Sequence, residues 1–412
     1  MTQADLDDPA ALAAADPWGM LAAVAGAGAQ ARAAGALAEQ AALVGPMPDT
    51  VVVAGMGGSG VAGDALAALA FAESTAPVVT VKGDRLPAFV GPGTLLVAVS
   101  YSGNTDETLS AVEQGLKAGA RLVAVASGGR LAELAKDRSA PLVLVEGGSQ
   151  PRAAFWSLVV PVLSAAEAAG VLRPLRSQVA AAADALDAEA AELGPAVPTA
   201  ANPAKQAALR LAGKLPVVWG TGQLGVVAAT RFRTQCNENA KVSVVSAAVP
   251  EADHNDVMGL EPGLGPGREL VLLRDPPGEH QRDGLRLAAV REALGADPIV
   301  RQSGDAVPLA RLARLVAFAD FTSTYLGIAR GVDPSTIATI DRVKAALAAG
   351  AREVNSPGAG GAPPPGAGGA PRLGAGGAVR PGAGGAVRPG AGGGPPPGAG
   401  EARRGEGLGA RP

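Results

Sequence analysis

Two stretches of the chain carry residue types that hold an anion. Gly55-Met56-Gly57-Gly58-Ser59-Gly60 follows the apolar run Val51 to Ala54, and Ser100-Tyr101-Ser102-Gly103-Asn104-Thr105 follows Leu95 to Val99. Each pattern predicts a buried strand that runs into small and hydroxyl residues, with a helix behind. Glycine lets the backbone approach an anion closely, free amides at a helix start point at it, and hydroxyls complete the cradle. Gly57, Gly58 and Ser59 with Ser100, Ser102 and Thr105 therefore read as a sugar-phosphate site. They follow the carboxyl ends of two strands, where open α/β sheets bind ligands. Two other readings compete. One is a tight strand-to-helix turn with a helix cap at the second loop, although a turn does not require two hydroxyl-rich loops. The other is a dinucleotide fingerprint, which Gly55 to Gly60 nearly matches, but Asp84, the candidate ribose ligand, lies too far along.

Further groups could carry proton chemistry. Glu238, in Asn237-Glu238-Asn239-Ala240-Lys241, ends a helical run from Val226 to Cys236 and precedes a predicted strand. It is either a general base, since a carboxylate desolvated in a cleft titrates nearer the operating pH, or a solvated helix-end acid. His254 is one of two histidines and lies in a polar loop, Glu251-Ala252-Asp253-His254-Asn255-Asp256, which suits a proton carrier. A metal site there would lack the usual ligand spacing. His280 reads as a solvated loop residue. Arg152 and Lys344 could balance a developing oxyanion or be ordinary surface charges, and the single cysteine, Cys236, reads as a small core residue.

The elements that must position these groups follow from the apolar pattern. An alanine-rich stretch from Pro9 to Ala42 predicts one or two helices. Five runs, Val51–Ala54, Pro77–Val81, Thr94–Val99, Arg121–Ala126 and Pro141–Val145, predict a doubly wound parallel sheet. After a helical region, Ala153 to Leu193, the pattern restarts with Pro216–Gly220, Lys241–Ser246, Arg268–Arg274 and Asp297–Arg301. A second glycine loop, Gly220-Thr221-Gly222-Gln223-Leu224-Gly225, has no hydroxyl-rich partner, so no second phosphate site is expected. A helix from about Ala310 to Gly331 stops before Asp333-Pro334, and a short one follows to Leu347. Beyond Asn355 the Pro-Gly-Ala repeats have almost nothing to bury and are expected to be disordered.

At 412 residues, about half of them apolar, the chain is long enough for two cores. A net charge of −3 with interspersed signs gives no basic stripe for nucleic acid. No apolar run reaches the roughly 18 residues of a membrane helix, and the acidic start is unlike a signal peptide. One cysteine excludes an intrachain disulfide and fits the cytoplasm.

Five elements in this order resemble the bifunctional phosphoglucose/phosphomannose isomerases, which are built from two sugar isomerase (SIS) domains. They are the two loops, Pro151-Arg152, Thr234 to Lys241, and Asp253-His254-Asn255. The resemblance spans about residues 45 to 350. It implies an α/β fold of two tandem SIS domains, each a parallel sheet between helical layers. The expected organisation is an N-terminal helical segment 1–45, a phosphate-binding domain 46–170, a domain 171–355 carrying Glu238 and His254, and a tail 356–412.

The resemblance further implies an aldose–ketose isomerase that interconverts glucose 6-phosphate or mannose 6-phosphate with fructose 6-phosphate through a cis-enediolate, without metal or nicotinamide. By the same resemblance Glu238 shuttles the proton and Arg152 stabilises the oxyanion. His254 opens the sugar ring from the other subunit of a homodimer, with Lys344 beside it. The family's site carries a threonine near the chain's end that leaves room for both carbon-two epimers. Counting back from Lys344 puts Ile337 there, with Thr336 and Thr339 out of register. An isomerase of another sugar phosphate, or an SIS-type sensor without turnover, are the alternatives.

Overall fold

Valine- and leucine-rich runs with no polar face require cover on both sides, and the runs at Val51–Ala54, Thr94–Val99 and Arg121–Ala126 obtain it in one parallel sheet. The computed structural model describes residues 5–40, 45–148, 150–261, 267–295, 297–304 and 306–354. Strands β1 (Thr50–Ala54), β2 (Val78–Val81), β3 (Thr94–Ser100), β4 (Arg121–Ala126) and β5 (Leu142–Leu144) pair in the order β2-β1-β3-β4-β5. A second parallel sheet, β6 (Leu215–Gly220), β7 (Val245–Ala248), β8 (Arg268–Arg274) and β9 (Ile299–Gln302), has the order β7-β6-β8-β9. All pairings are parallel.

The helices are α1 (Pro9–Ala15), α2 (Met20–Ala25), α3 (Ala27–Gln40), α4 (Gly58–Ala70), α5 (Asp106–Lys117), α6 (Gly129–Asp137) and α7 (Phe155–Ala168) in the first half. They continue with α8 (Arg176–Leu193), α9 (Pro203–Leu211), α10 (Gly222–Gln235), α11 (Glu251–His254), α12 (Asp283–Leu294), α13 (Pro308–Ala329) and α14 (Ala338–Val354).

Alternation along each strand sorts the side chains into two layers. Val51, Val53, Leu95, Val97 and Val99 face a core shared with α3, α4, α7 and α8, whereas Val52, Leu96, Ala98 and Leu122 face α5 and α6. The second sheet repeats this: Val218, Val271 and Leu273 face α9, α10 and α13, and Val217, Trp219, Leu270 and Leu272 face α11 and α12. Each fully buried valine or leucine contributes about 1.5–3 kcal/mol.

Three helices, α8, α10 and α13, belong to both halves, α10 placing Leu224 and Val227 in the first core and Ala228 and Phe232 in the second. In α13 every residue except Pro308 and Arg314 is buried, with Leu309, Leu312 and Val316 in the first core and Leu315, Phe318 and Tyr325 in the second. Helix α8 contributes Val179 and Leu186 to the first core and Leu193 to the second. The N-terminal helices also divide, α3 joining the first core while Leu12, Met20, Leu21 and Val24 of α1 and α2 join the second. Residues Met1–Lys344 accordingly form one compact unit. The expected tail, 356–412, lies outside the described residues.

One expected strand is displaced. Lys241–Ser246 is not extended throughout; α10 runs into a π-helical turn, Cys236–Ala240, and the strand starts only at Val245. The cause is local: Lys241 sits at φ +53 and its amide bonds back to the Cys236 carbonyl, which closes the turn and delays the strand.

Candidate active site

The first glycine loop caps α4. Gly57 has φ +55 and ψ −128, a conformation open to glycine and not to side-chain-bearing residues, and a Cβ at Gly57 or Gly58 would meet nothing within 4 Å. The backbone is thus bare to an incoming anion at the positive end of a 13-residue helix. Ser59 is buried in the first turn.

Thr105 stands at the N-cap of α5, yet its hydroxyl makes no capping bond and instead pairs with Ser100 Oγ at 2.9 Å. The capping alternative therefore does not account for it. Ser102 is exposed, and its hydroxyl accepts from the Asn104 amide at 3.3 Å. The tightness of this loop comes from Gly103, where a Cβ would lie 1.8 Å from the Gly128 carbonyl. Both loops follow the carboxyl ends of adjacent parallel strands, β1 and β3.

Arg152 lies in a 3-10 turn, Pro151–Ala153, after β5 of the same sheet. It is 5% exposed, so it is not a surface charge. One Nη donates to Glu238 Oε2 at 3.2 Å, and the other donates to the carbonyls of Pro334 at 2.6 Å and Ser335 at 2.7 Å. Burial pulls the guanidinium pKa down from its ordinary value, and Glu238 and Asp333 oppose that. Arginine keeps its proton under any such shift, so the cation persists beside the carboxylate.

Glu238 sits in the π-helical turn that ends α10, its side chain 30% exposed. That turn is held against α13: Asn239 donates to Ser323 Oγ at 3.1 Å, and Gly327 permits the contact, since a Cβ there would meet the Asn239 carbonyl at 2.5 Å. A hollow of about 670 Å³ opens beside the carboxylate, lined by Lys241, Ser243, Thr336, Ile337 and Thr339 among others. A carboxylate with one open side and a fixed cation can take a proton from carbon and leave the resulting oxyanion stabilised.

Sequence reasoning missed the layer behind this pair. Arg231 of α10 makes a two-point ion pair with Asp320 of α13, at 2.8 and 2.7 Å, and also donates to the Arg152 carbonyl at 2.9 Å. Its guanidinium covers the Phe155 ring at 4.1 Å. The available signal was Asp320 itself, the sole carboxylate of a largely apolar helical run, which demands a cation if it is buried. Burial pushes Asp320 upward, and Arg231 and Gln235 counter it. Ser335 was also missed; it is buried beside Arg152, and its hydroxyl has no hydrogen-bond partner among the described residues.

The structure does not bring every expected residue to Glu238. His254 is not in a loop but ends the short helix α11, and it is exposed. Lys344 is exposed on α14. Among the described residues no hydrogen bond or ion pair joins either to Glu238. Cys236 is fully buried, with its thiol pKa pushed up by that burial, and His280 is exposed. No group of three metal-binding side chains occurs among the described residues, and no helix there is long and apolar enough to cross a membrane.

The second glycine loop is closed. Thr221 Oγ1 donates to Glu279 Oε1 at 2.6 Å, Arg274 pairs with both oxygens of the same carboxylate, and a Cβ at Gly222 would meet the Gly278 carbonyl at 2.9 Å. An internal carboxylate stands at this helix start, where the first loop is bare.

Residues 200–347 match the family described as bacterial phospho-glucose isomerase C-terminal SIS domain. A bifunctional phosphoglucose/phosphomannose isomerase of Caldicellulosiruptor bescii is 32% identical over 310 residues, 73% of this chain and 90% of the relative. One from Thermoplasma acidophilum is 32% identical over 294 residues, 71% of this chain and 88% of the relative. The crystal structure of a hypothetical protein from Thermus thermophilus superposes with a TM-score of 0.63 at 18% identity, covering 84% of this chain and 93% of that one, and so shares the fold. The chain belongs to the bifunctional phosphoglucose/phosphomannose isomerase family.

Proposed function

We propose that the chain interconverts fructose 6-phosphate with glucose 6-phosphate and mannose 6-phosphate by moving a proton between carbons one and two. The observation that carries this reading is the 3.2 Å ion pair between Arg152 and Glu238, because it ties the sheet that bears the hydroxyl loops to the only carboxylate of the Asn-Glu-Asn motif. The substrate phosphate sits against Gly57, Gly58 and Ser59 with Ser100, Ser102 and Thr105, where two helix starts favour negative charge.

With the open-chain aldose bound, Glu238 takes the proton from carbon two. The electrons move into an enediolate whose oxygen Arg152 stabilises, and Glu238 returns the proton to carbon one. A hydroxyl proton passes from O2 to O1, so the product is an isomer and nothing is consumed. Ring opening needs a further proton carrier, and we assign it to His254 of a second subunit in a homodimer, with Lys344 beside it. The exposure of both residues in the single chain is compatible with that arrangement. Ile337, Thr336 and Thr339 all line the hollow beside Glu238, so this wall meets the sugar where the two epimers differ. A cytoplasmic setting, where the lone thiol stays reduced, belongs to the same proposal.

Coupled detection of glucose 6-phosphate with fructose 6-phosphate and, separately, mannose 6-phosphate as substrate tests the reading, with chelator present throughout. Turnover of both is expected. Tight hexose-phosphate binding without turnover of either would replace the isomerase with a sensor.

A further inference from the structure

The ammonium of Lys241 donates to the Glu238 carbonyl at 2.8 Å and to the Asp333 carbonyl at 2.7 Å, with a longer contact to the Asn239 carbonyl at 3.5 Å. Arg152 holds the next two carbonyls of the same segment, Pro334 and Ser335, and holds the Glu238 carboxylate with its other nitrogen. The contacts close into a ring. One cation grips the glutamate's backbone, the other grips its carboxylate, and both are anchored on Asp333–Ser335. The Asp333 side chain shapes that anchor by accepting from the Ser335 amide at 2.7 Å.

From this ring we infer that Lys241 is a positioning residue for the Glu238–Arg152 pair. The inference rests on the reading of Glu238 as the base. The backbone at Lys241 supports it. A residue at φ +53 is ordinarily glycine or asparagine, since a Cβ is disfavoured there. Glycine would relieve the backbone but lose the ammonium, so the chain accepts a conformational cost at a position from which its lysine reaches both carbonyls. Burial and the nearby Arg152 hold the Lys241 pKa below its ordinary value, with Asp333 and Glu238 opposing them only in part, as expected for an ammonium held within this cluster.

The strained backbone supplies a test that separates positioning from stability. Lys241→Gly and Lys241→Met are compared with the full-length protein in steady-state turnover of fructose 6-phosphate. Displacing a reacting group by about 1 Å costs on the order of 100-fold, so kcat is expected to fall about 10- to 100-fold in both variants. KM should stay within about twofold, because the phosphate loops are untouched. The Gly variant should melt no lower than the Met variant, since it relieves the positive φ. Lys241→Arg, which can still donate to both carbonyls, should recover most of kcat. Unchanged kcat in the Gly and Met variants, with Glu238→Gln inactive, would overturn the positioning role alone. Turnover retained by Glu238→Gln would remove the base and, with it, anything for Lys241 to position.

Discussion

The two glycine loops begin alike and end differently. Each follows the first strand of its sheet in chain order and opens a helix, α4 after Gly57 and α10 after Thr221. Over the first loop a Cβ at Gly57 or Gly58 would find open space; over the second, the Gly278 carbonyl and the Glu279 carboxylate press against Gly222 and Thr221. A helix start attracts negative charge in both cases. In the second half the chain itself supplies that charge, and in the first it leaves the helix start bare. Under the proposed function, the same local geometry serves a ligand where it is bare and acts as a structural joint where it is filled.

The largest effect expected from this contrast lies at the residue that the open loop serves. Glu238→Gln should lower kcat by about 10³-fold or more, at the upper part of the range for a lost general base, while hexose-phosphate binding measured by calorimetry persists. Next come matched substitutions in the two loops. Ser100→Ala with Thr105→Val should raise KM about 10-fold or more, since hydrogen bonds to a charged group contribute about 1.5–3 kcal/mol each. Glu279→Gln should leave KM unchanged and lower the melting temperature, because it weakens the Arg274 and Thr221 contacts without touching substrate. If KM rose with Glu279→Gln as well, the second loop would be a ligand site after all.

The closed loop also has a pH signature. Burial pulls the Glu279 carboxyl upward, but the Arg274 and Thr221 hydrogen bonds outweigh it and hold the pKa below the ordinary value. A carboxyl lowered on folding stabilises the fold above its unfolded pKa, about 4.3 for glutamate, and the contribution disappears as pH falls through the lower folded value. The gap in melting temperature between the parent and Glu279→Gln should be full at neutral pH and shrink on the acid side. Smallest of all is truncation after Asn355, for which neither kcat nor melting temperature is expected to change, since the removed repeats offer little to bury.

Much of this was legible in the sequence because the signals are local. Unbroken runs such as Leu95–Val99 announce parallel strands buried on both faces, and the hydroxyls placed immediately after them are the basis on which a cradle is proposed. What stayed hidden depends on partners distant along the chain. Nothing near Thr221 reveals that Glu279, 58 residues later, fills its loop. Nothing near Arg152 reveals that Pro334 and Ser335 receive its guanidinium, and exposure statistics for arginine argue the wrong way. The displaced strand after Lys241 has another cause: a positive φ at a lysine runs against its intrinsic preference, so no propensity rule places it. The affiliation of α1 and α2 with the second core likewise reflects a long-range contact that alanine-rich helices do not encode.

Solvent exchange tests the central claim, that Glu238 carries the proton of a sugar held by the open loop. Fructose 6-phosphate is incubated with enzyme in deuterium oxide, and NMR follows deuterium entering carbon one of the remaining substrate and carbon two of the product. The parent protein should incorporate deuterium at both positions, and Glu238→Gln, still binding the sugar, at neither. Exchange at the parental rate in Glu238→Gln would contradict the account.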